Sequence, residues 1–133
     1  MISTKGRYAL RVMIDLAENQ NGNYIPMKEI AKRQELSLKY LERITPLLIK
    51  SSLIEGVHGK GGGYRLTRNP KDYTVMEILT VTEGDIAPIA CLQNNAEPCA
   101  RRSQCSTIAM WEKYHNLTKE YFSSITIADL MRS

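Results

Sequence analysis

The spacing of apolar and polar residues divides the chain into helices and a hairpin. From Ser3 to Glu18, polar side chains recur at steps of four, four and three, and most residues between them are apolar. This pattern predicts a first helix that is buried over much of its surface. The segment "NQNGNY" then ends the helix, because glycine and asparagine favour turns.

Two short helices follow, with a tight turn between them. Pro26 suits the start of "PMKEIAKRQE", and Ser37 is a good N-cap for the next helix. In that third helix the apolar residues from Leu38 to Leu48 share one side, and charged residues point away. Pro46 predicts either a kink or a separate final turn that ends at Lys50. This arrangement is typical of a helix-turn-helix.

A β-hairpin is predicted directly after these helices. Ile54–Val57 and Tyr64–Leu66 have the composition of short strands, and the glycines of His58–Gly63 permit the positive φ angles of a turn. A hairpin in this position is the wing of a winged helix. Its glycine-rich tip, which carries Lys60, can approach a sugar-phosphate backbone closely.

The second half of the chain is predicted to be helical around a polar loop. Thr74 and Glu77 form a capping-box pattern before a helix that Gly84 ends. A long helix covers about Thr107–Ser124, and Thr126–Leu130 is predicted to be a single capped turn. The fold class is therefore mainly α with a small β-hairpin. We expect a winged helix-turn-helix in residues 1–84, a cysteine-containing sensor loop in 85–106, and a dimerisation helix with a C-terminal turn in 107–133.

The long helix carries large apolar residues at steps of three or four. These residues are Ile108, Trp111, Tyr114, Leu117, Tyr121 and Phe122. They can pack against their own domain, but the elements before Gly84 already supply a core, which favours a dimer interface. A symmetric dimer would present two recognition helices about 34 Å apart, or a multiple of that distance, to a roughly palindromic operator in double-stranded DNA.

Charge is unevenly distributed and favours a polyanionic partner for the first half. Residues 1–70 contain 12 Lys or Arg against 6 Asp or Glu, whereas residues 71–133 contain 6 against 8, within a net charge of +4. A basic first half with a mildly acidic second half suggests one face that meets a polyanion. Together with the glycine-tipped hairpin, this bias favours DNA binding over a plain helical hairpin.

Length and composition indicate one globular cytoplasmic domain. The 133 residues suit a single core, and no apolar run approaches the roughly 20 residues of a membrane span. The N-terminus lacks the apolar stretch of a secretory signal, so we expect no membrane association. The two histidines lie in different elements without a nearby serine or carboxylate pattern, so we do not expect an enzyme.

All three cysteines of the chain lie in the segment "CLQNNAEPCARRSQC", at Cys91, Cys99 and Cys105. The polar loop is a poor place for buried thiols, and gaps of seven and five residues do not match the close cysteine pair of a zinc site. A disulfide would leave one thiol over. An iron–sulfur cluster or a thiol sensor remains, and the spacing alone favours neither.

Four segments together resemble the Rrf2 family of bacterial winged-helix transcription regulators, over almost the whole chain. They are "STKGRYALRVMIDLA", "SLKYLERITPLL", "GKGGGYRL" and "TVMEILTVTEG". The cysteine loop makes the chain similar to the iron–sulfur branch of that family. The resemblance implies a homodimer that crosses over through the long helix, with the recognition helix in the major groove and the wing near the minor groove.

The resemblance also implies site residues. Cys91, Cys99 and Cys105 would hold an iron–sulfur cluster, more often of the 2Fe–2S than of the 4Fe–4S type, whose state alters DNA affinity. The predicted DNA contacts are Thr4, Lys5, Arg7, Lys28, Ser37, Lys39, Tyr40, Glu42, Arg43, His58 and Lys60.

Two positions depart from the family pattern. The 2Fe–2S branch has a histidine ligand three residues after the last cysteine, where this chain has Ile108, and the stretch Arg7-Tyr8 offers no carboxylate as a substitute. His115 lies about 10 Å further along the helix, at about 1.5 Å per residue, and is a poor replacement. His58 stands where the wing often has an arginine. The candidates for a fourth ligand are Thr107, Gln104, Glu97, Glu112, an external thiol or water.

Two other functions stay open at this point. The cysteines can form a redox switch without iron in a DNA-binding regulator. Alternatively, the winged helix can act mainly through a protein partner, for instance a metabolic enzyme. Salt dependence separates DNA binding from the second alternative, since phosphate contacts make affinity fall steeply with salt.

Overall fold

A computed structural model describes residues 2–132 of the chain. The elements in chain order are α1 (Thr4–Glu18), α2 (Met27–Gln34), α3 (Leu38–Lys50), β1 (Ile54–Val57), β2 (Gly63–Leu66), α4 (Val75–Glu83), α5 (Ile108–Ser124) and α6 (Ile127–Leu130). Three short 3-10 turns, at Pro70–Asp72, Ala90–Leu92 and Arg102–Gln104, were not predicted. The mainly helical fold with an antiparallel hairpin confirms the winged helix-turn-helix.

Helix α1 forms the centre of the core. Its apolar side chains Ala9, Val12, Met13 and Leu16 are at most 1% exposed, and α2, α3, α4 and α6 all pack against the helix. Ser3 caps α1 with its hydroxyl, which accepts a hydrogen bond from the N–H of Gly6. The broadly apolar pattern of this segment therefore corresponds to a helix that is enclosed by its neighbours.

Helix α3 is one element. Its first turn is capped by Ser37, and the helix continues through Pro46 to Lys50. The alternative of a separate final turn is therefore wrong. Thr45 is buried beside the proline, and its hydroxyl donates to the carbonyl of Leu41 at 2.8 Å.

The predicted capping box of α4 forms only in part. The Thr74 hydroxyl accepts a hydrogen bond from the N–H of Glu77 at 3.1 Å. The Glu77 carboxylate does not turn back to Thr74; it accepts two bonds from the guanidinium of Arg68, at 3.0 and 2.8 Å. An arginine supplied by the segment after β2 therefore competes successfully for the carboxylate. At α6, in contrast, Thr126 and Asp129 form a complete capping box.

The hairpin is tied to the core on both sides. Tyr73 is fully buried, and its hydroxyl donates to Leu53 at 2.7 Å while it accepts from the N–H groups of Thr67 and Arg68. Residue Ile25 adds a short third bridge beside β2, through two 2.8 Å backbone hydrogen bonds with Tyr64. The wing is thus fixed at its base.

Replacing Gly63 with alanine is expected to destabilise the protein by about 2–3 kcal/mol, because an added methyl group would overpack this junction. Gly63 has a φ of +149°, and its Cβ would stand within 2.6 Å of backbone atoms of Ile25 and Pro26. Urea denaturation measures the loss. Gly59→Ala is the matched control, because Gly59 also has a positive φ but has open space around it. Equal losses in the two variants would contradict the packing argument.

The chain returns to the core after α5. Backbone hydrogen bonds join Val75 to Ile125 and Ile127 to Tyr73, at 2.9 and 3.0 Å. Ile127 of α6 is fully buried in the same core as α1. The C-terminal end of α5 is therefore anchored to the winged-helix part of the chain.

Candidate functional site

The start of α3 presents a polar surface over a buried base. Ser37 caps the helix, its hydroxyl accepting from the N–H of Tyr40 at 3.2 Å. Lys39, Glu42 and Arg43 are exposed. Their backbone is held by the buried apolar side of α3, so the three charged side chains are free to contact a ligand from a fixed helix.

The first turn of α1 lies beside the start of α3. The rings of Tyr8 and Tyr40 meet edge to face with centroids 5.4 Å apart, which links the two helices. Lys5 and Arg7 are exposed, and Thr4 accepts a hydrogen bond from Arg7 at 3.2 Å. The structure thus groups four of the predicted DNA contacts, Thr4, Lys5, Arg7 and Tyr40, where α1 meets α3.

The wing tip is open and basic. Its turn is closed by a 2.9 Å hydrogen bond from the N–H of Gly62 to the carbonyl of Gly59, and His58 and Lys60 are exposed. Lys28 at the start of α2 lines a groove of about 590 Å³ together with the wing-tip glycines. Lys28 therefore lies next to the wing, a neighbourhood that its position in the sequence does not reveal.

The three cysteines lie in the connection between α4 and α5. Cys91 is half-buried in the Ala90–Leu92 turn, Cys99 and Cys105 are exposed, and all three are free thiols. Within residues 2–132, no three His, Cys, Asp or Glu side chains are arranged to hold a metal ion. The donor chemistry fits an iron–sulfur cluster, since thiolates are its usual ligands. The loop would have to close to bring the thiols together.

The surroundings of Cys105 favour ionisation of its thiol. Its thiol lies 3.6 Å from the hydroxyl of Thr107. This hydrogen bond, the backbone N–H groups of Thr107 and Ile108 and the charge of Arg101 lower the pKa of the Cys105 thiol below its ordinary value. Because the thiolate is the form that binds metals and reacts with oxidants, both functions are favoured at this position.

The base of the cysteine loop is held by Asp85. Its carboxylate accepts hydrogen bonds from the backbone N–H groups of Asn94, at 2.6 Å, and Ala87, at 2.8 Å. These two bonds, with the nearby charge of Lys119, lower the pKa of Asp85. The segment that contains Cys91 is thereby fixed at both ends to the residue after Gly84.

The position of the missing histidine ligand is apolar here. Ile108 is half-buried as the first residue of α5. Among the other candidates, Thr107 lies beside Cys105, and Glu112 is paired with Arg102. The Nδ1 atom of His115 is buried without a hydrogen-bond partner. Gln104 and Glu97 are exposed.

Helix α5 has two stripes of side chains along its length, one half-buried and one exposed. The half-buried stripe faces its own chain and consists of Ile108, Trp111, His115, Thr118 and Phe122. The exposed stripe consists of Met110, Tyr114, Leu117 and Tyr121, which are 54–63% exposed. The predicted interface residues are divided between these stripes, and Met110 was not predicted. No residue of α5 is fully buried in the described chain, so a large apolar surface lacks an intramolecular partner.

The family follows from comparison with known proteins. The Rrf2 family, described as iron-dependent transcriptional regulators, matches residues 2–133. The chain belongs to the Rrf2 family. This Rrf2 protein is therefore a DNA-binding transcriptional regulator, and the predicted family and function class are confirmed at that level. None of the helices described over residues 2–132 combines the length and apolarity needed to span a bilayer.

Relatives named IscR and CymR are both similar to this chain. The HTH-type transcriptional regulator IscR of Sodalis glossinidius is 32% identical over 98% of this chain and 78% of its own length. The structure of T. potens IscR is similar with a TM-score of 0.76 and 35% identity, over 98% of this chain and 85% of that one. The structure of CymR, the global cysteine regulator of B. subtilis, is similar with a TM-score of 0.79 and 35% identity, over 98% of this chain and 95% of that one.

Three features of this Rrf2 protein's site were missed in the sequence. The Asp85–Asn94 bond and the contact of Glu83 with Ser3 depend on residues that meet only after folding, whereas Met110 of the exposed stripe was overlooked although it has helical spacing from Tyr114. Asp85 had one usable signal, because an aspartate after a helix-ending glycine often accepts backbone hydrogen bonds. The Glu83–Ser3 contact spans 80 positions and has no local signal.

Proposed function

We propose that this Rrf2 protein is a homodimeric cytoplasmic regulator whose affinity for its operator is controlled by an iron–sulfur cluster on Cys91, Cys99 and Cys105. The observation that carries the proposal is the position of the cysteines. Every thiol of the chain lies in one accessible loop between the last helix of the winged domain and the long helix α5.

DNA recognition rests on two charged elements. Helix α3 would enter the major groove with Lys39, Glu42 and Arg43, while the wing would follow the backbone near the minor groove with His58 and Lys60. Lys5 and Arg7 would neutralise phosphates, which supplies affinity but little sequence information. Their exposure and the rigid support of α3 favour this division of roles.

A second copy of the chain would cover the exposed stripe of α5. The stripe is apolar, continuous over three helical turns and rich in tyrosine, a composition that favours protein contacts. Symmetric pairing would place the same residues opposite one another and present two α3 helices to two half-sites.

The three thiols are suitable ligands for a cluster. When bound, an iron–sulfur cluster supplies a centre that responds to oxidation and to small ligands. In this chain the lowered pKa of the Cys105 thiol makes the thiolate easier to form, and Asp85 holds the segment around Cys91. Thr107 is a fourth-ligand candidate whose hydroxyl lies 3.6 Å from the Cys105 thiol, and Glu112 is engaged with Arg102. Closure of the loop would shift the connection between α4 and α5. Of the two cluster types, we favour the 2Fe–2S cluster.

The second candidate is a thiol switch without iron. The lowered pKa of Cys105 makes this thiol reactive towards oxidants. Both candidates keep DNA binding and differ in whether iron is needed.

One experiment distinguishes the two candidates. Protein purified without oxygen is expected to be coloured and to contain iron and acid-labile sulfide, whereas the triple Cys→Ser variant has neither. Operator affinity, measured on a duplex selected from random sequences by the wild-type protein, is expected to change about 5- to 150-fold between the loaded and the metal-free protein.

The Ser103→Ala variant is the control, since Ser103 is exposed in the same loop and carries no thiol. Iron-free, colourless wild-type protein would contradict the cluster. An oxidant-dependent affinity in such protein would instead establish the thiol switch.

A further inference from the structure

The N-terminal end of α1 is bound to the base of the cysteine loop. One carboxylate oxygen of Glu83 accepts hydrogen bonds from the N–H of Ser3, at 3.0 Å, and from its hydroxyl, at 2.6 Å. Ser3 is the N-cap of α1, and the predicted phosphate contacts Thr4, Lys5 and Arg7 follow immediately. Glu83 therefore holds the residue that caps the first turn of α1.

Glu83 is also the last residue of α4. Gly84 follows with a φ of +76°, and Asp85 then accepts the two backbone hydrogen bonds that hold the loop. Two carboxylates on either side of one glycine thus hold two distant parts of the chain. One holds the DNA-binding end of α1, and the other holds the segment that contains Cys91.

A second contact joins the same two parts. Ile2 lines a cavity of about 440 Å³ together with Ile86 and Pro88 of the loop and with Trp111 and Phe122 of α5. The residue before the α1 cap therefore shares an apolar environment with the first loop residues. A displacement of the loop changes this environment as well as the position of Asp85.

Gly6 leaves room for the Glu83 carboxylate beside α1. A Cβ at position 6 would stand 2.2 Å from Oε1 of Glu83 and 3.1 Å from Cδ2 of Leu79. Glycine at this position therefore leaves the space that the carboxylate needs to reach Ser3.

We propose that Glu83 is a positioning residue for DNA binding, which transmits the state of the cysteine loop to Lys5 and Arg7 through Ser3. The inference rests on the proposed function, because it presupposes that Lys5 and Arg7 contact phosphates. It adds the route by which a change at the loop reaches the DNA without passing through the dimer helix.

The first test uses DNA affinity and its salt dependence. Glu83→Ala is expected to weaken binding to the selected duplex about 5- to 30-fold, equivalent to about 1–2 kcal/mol. The slope of log K against log salt should become shallower by about 1 for each lost phosphate contact, that is, by about 2 for Lys5 and Arg7. Gly6→Ala should act in the same direction, because the methyl group displaces the carboxylate without removing it.

Two variants serve as controls. Glu83→Gln keeps an oxygen that can accept from Ser3 and should retain most of the affinity and the full salt slope. Glu77→Ala removes a carboxylate from the same helix, but its partner is Arg68 rather than α1. If Glu77→Ala and Glu83→Ala lose affinity equally, with the salt slope unchanged, Glu83 has only a structural role and the proposal is wrong.

The second test perturbs the loop without a cluster. Metal-free protein is treated with iodoacetamide, which modifies the cysteines, and amide hydrogen exchange is measured at residues 3–8. In the wild type, modification should change the exchange rates of these amides about fivefold or more, which is the lower end of the coupling usually found between allosteric sites. In Glu83→Ala, modification should leave these exchange rates unchanged. Unchanged exchange in the wild type would overturn the proposal. Because this test needs neither iron nor operator, its outcome is independent of whether the cluster hypothesis holds.

Discussion

Arg33→Leu is expected to lower the free energy of unfolding by about 3–5 kcal/mol, the range measured when one partner of a buried ion pair is removed. The guanidinium of Arg33 donates to both carboxylate oxygens of Asp15, at 2.7–3.3 Å, and the Asp15 side chain is 2% exposed. Without Arg33, the buried carboxylate keeps one side-chain donor, the amide of Gln34 at 2.9 Å.

Replacement of Asp15 should lower the free energy of unfolding by less than replacement of Arg33. The Arg33 side chain is 38% exposed and also lies 3.8 Å from Glu29, so water can solvate it when the carboxylate is gone. Asp15→Asn keeps an acceptor oxygen in the same place. We expect a loss of about 1–2 kcal/mol for this variant, similar to a weakened hydrogen bond to a charged group.

Urea denaturation of the two variants measures the asymmetry. Arg65→Leu is the matched control, because Arg65 pairs with Glu55 at 2.6 Å but both side chains are nearly half exposed. A surface pair of this kind contributes about 1 kcal/mol or less. Equal losses for Arg33→Leu and Arg65→Leu, or a larger loss for Asp15→Asn than for Arg33→Leu, would refute the assignment of the buried charge.

The ion pair also matters for the DNA-binding geometry. Arg11 of α1 donates to the side-chain oxygen of Gln34 at 3.1 Å, and Gln34 in turn donates to Asp15. This network fixes α2 against α1 by charged and polar contacts instead of apolar packing alone. Because α2 precedes α3 by a tight turn, its orientation determines how α3 projects from the core.

The elements that local chemistry specifies were predictable from the sequence. Ser37 and Thr74 cap their helices as expected, and the glycine turn forms the wing tip. In each case the signal and the structure lie within a few residues of each other. The family motifs cover the same elements, which is why the fold class could be predicted and was confirmed.

Contacts between distant segments could not be predicted in the same way. Asp15 lies in the regular polar series of α1, yet the structure buries it, because a partner 18 positions away neutralises it. Glu77 has the capping-box spacing but binds Arg68. For α5, the apolar spacing predicted one interface, whereas the helix has one stripe against its own chain and a second that is exposed. Each difference depends on which side chain arrives from elsewhere in the fold.

Leu117→Glu is expected to convert the protein to a monomer and to weaken binding to the full selected operator about 100- to 10,000-fold. That range is the gain that a second linked binding site usually provides. Leu117 is 55% exposed in the centre of the exposed stripe, so the fold should lose no more than about 0.5 kcal/mol. In a symmetric dimer the substitution places two like charges in one apolar interface, where each is costly to desolvate.

Sedimentation equilibrium measures the oligomeric state, and fluorescence anisotropy measures the affinity for DNA. Asn116→Glu is the matched control, because it introduces the same charge at the adjacent exposed residue, which belongs to neither stripe. This control should remain dimeric. A Leu117→Glu protein that stays dimeric with wild-type affinity would rule out the exposed stripe as the interface.

A duplex with only one half-site separates loss of the dimer from damage to the DNA-binding surface. Leu117 lies on α5, whereas the residues expected to contact one half-site belong to α1, α3 and the wing. Wild-type and Leu117→Glu proteins should therefore bind the single half-site with equal, low affinity. The difference between them should appear only when two half-sites are about one helical turn (about 34 Å), or a multiple of it, apart. A loss on the half-site duplex would mean that α5 supports the DNA-binding surface within one chain, since no second copy is needed for that contact.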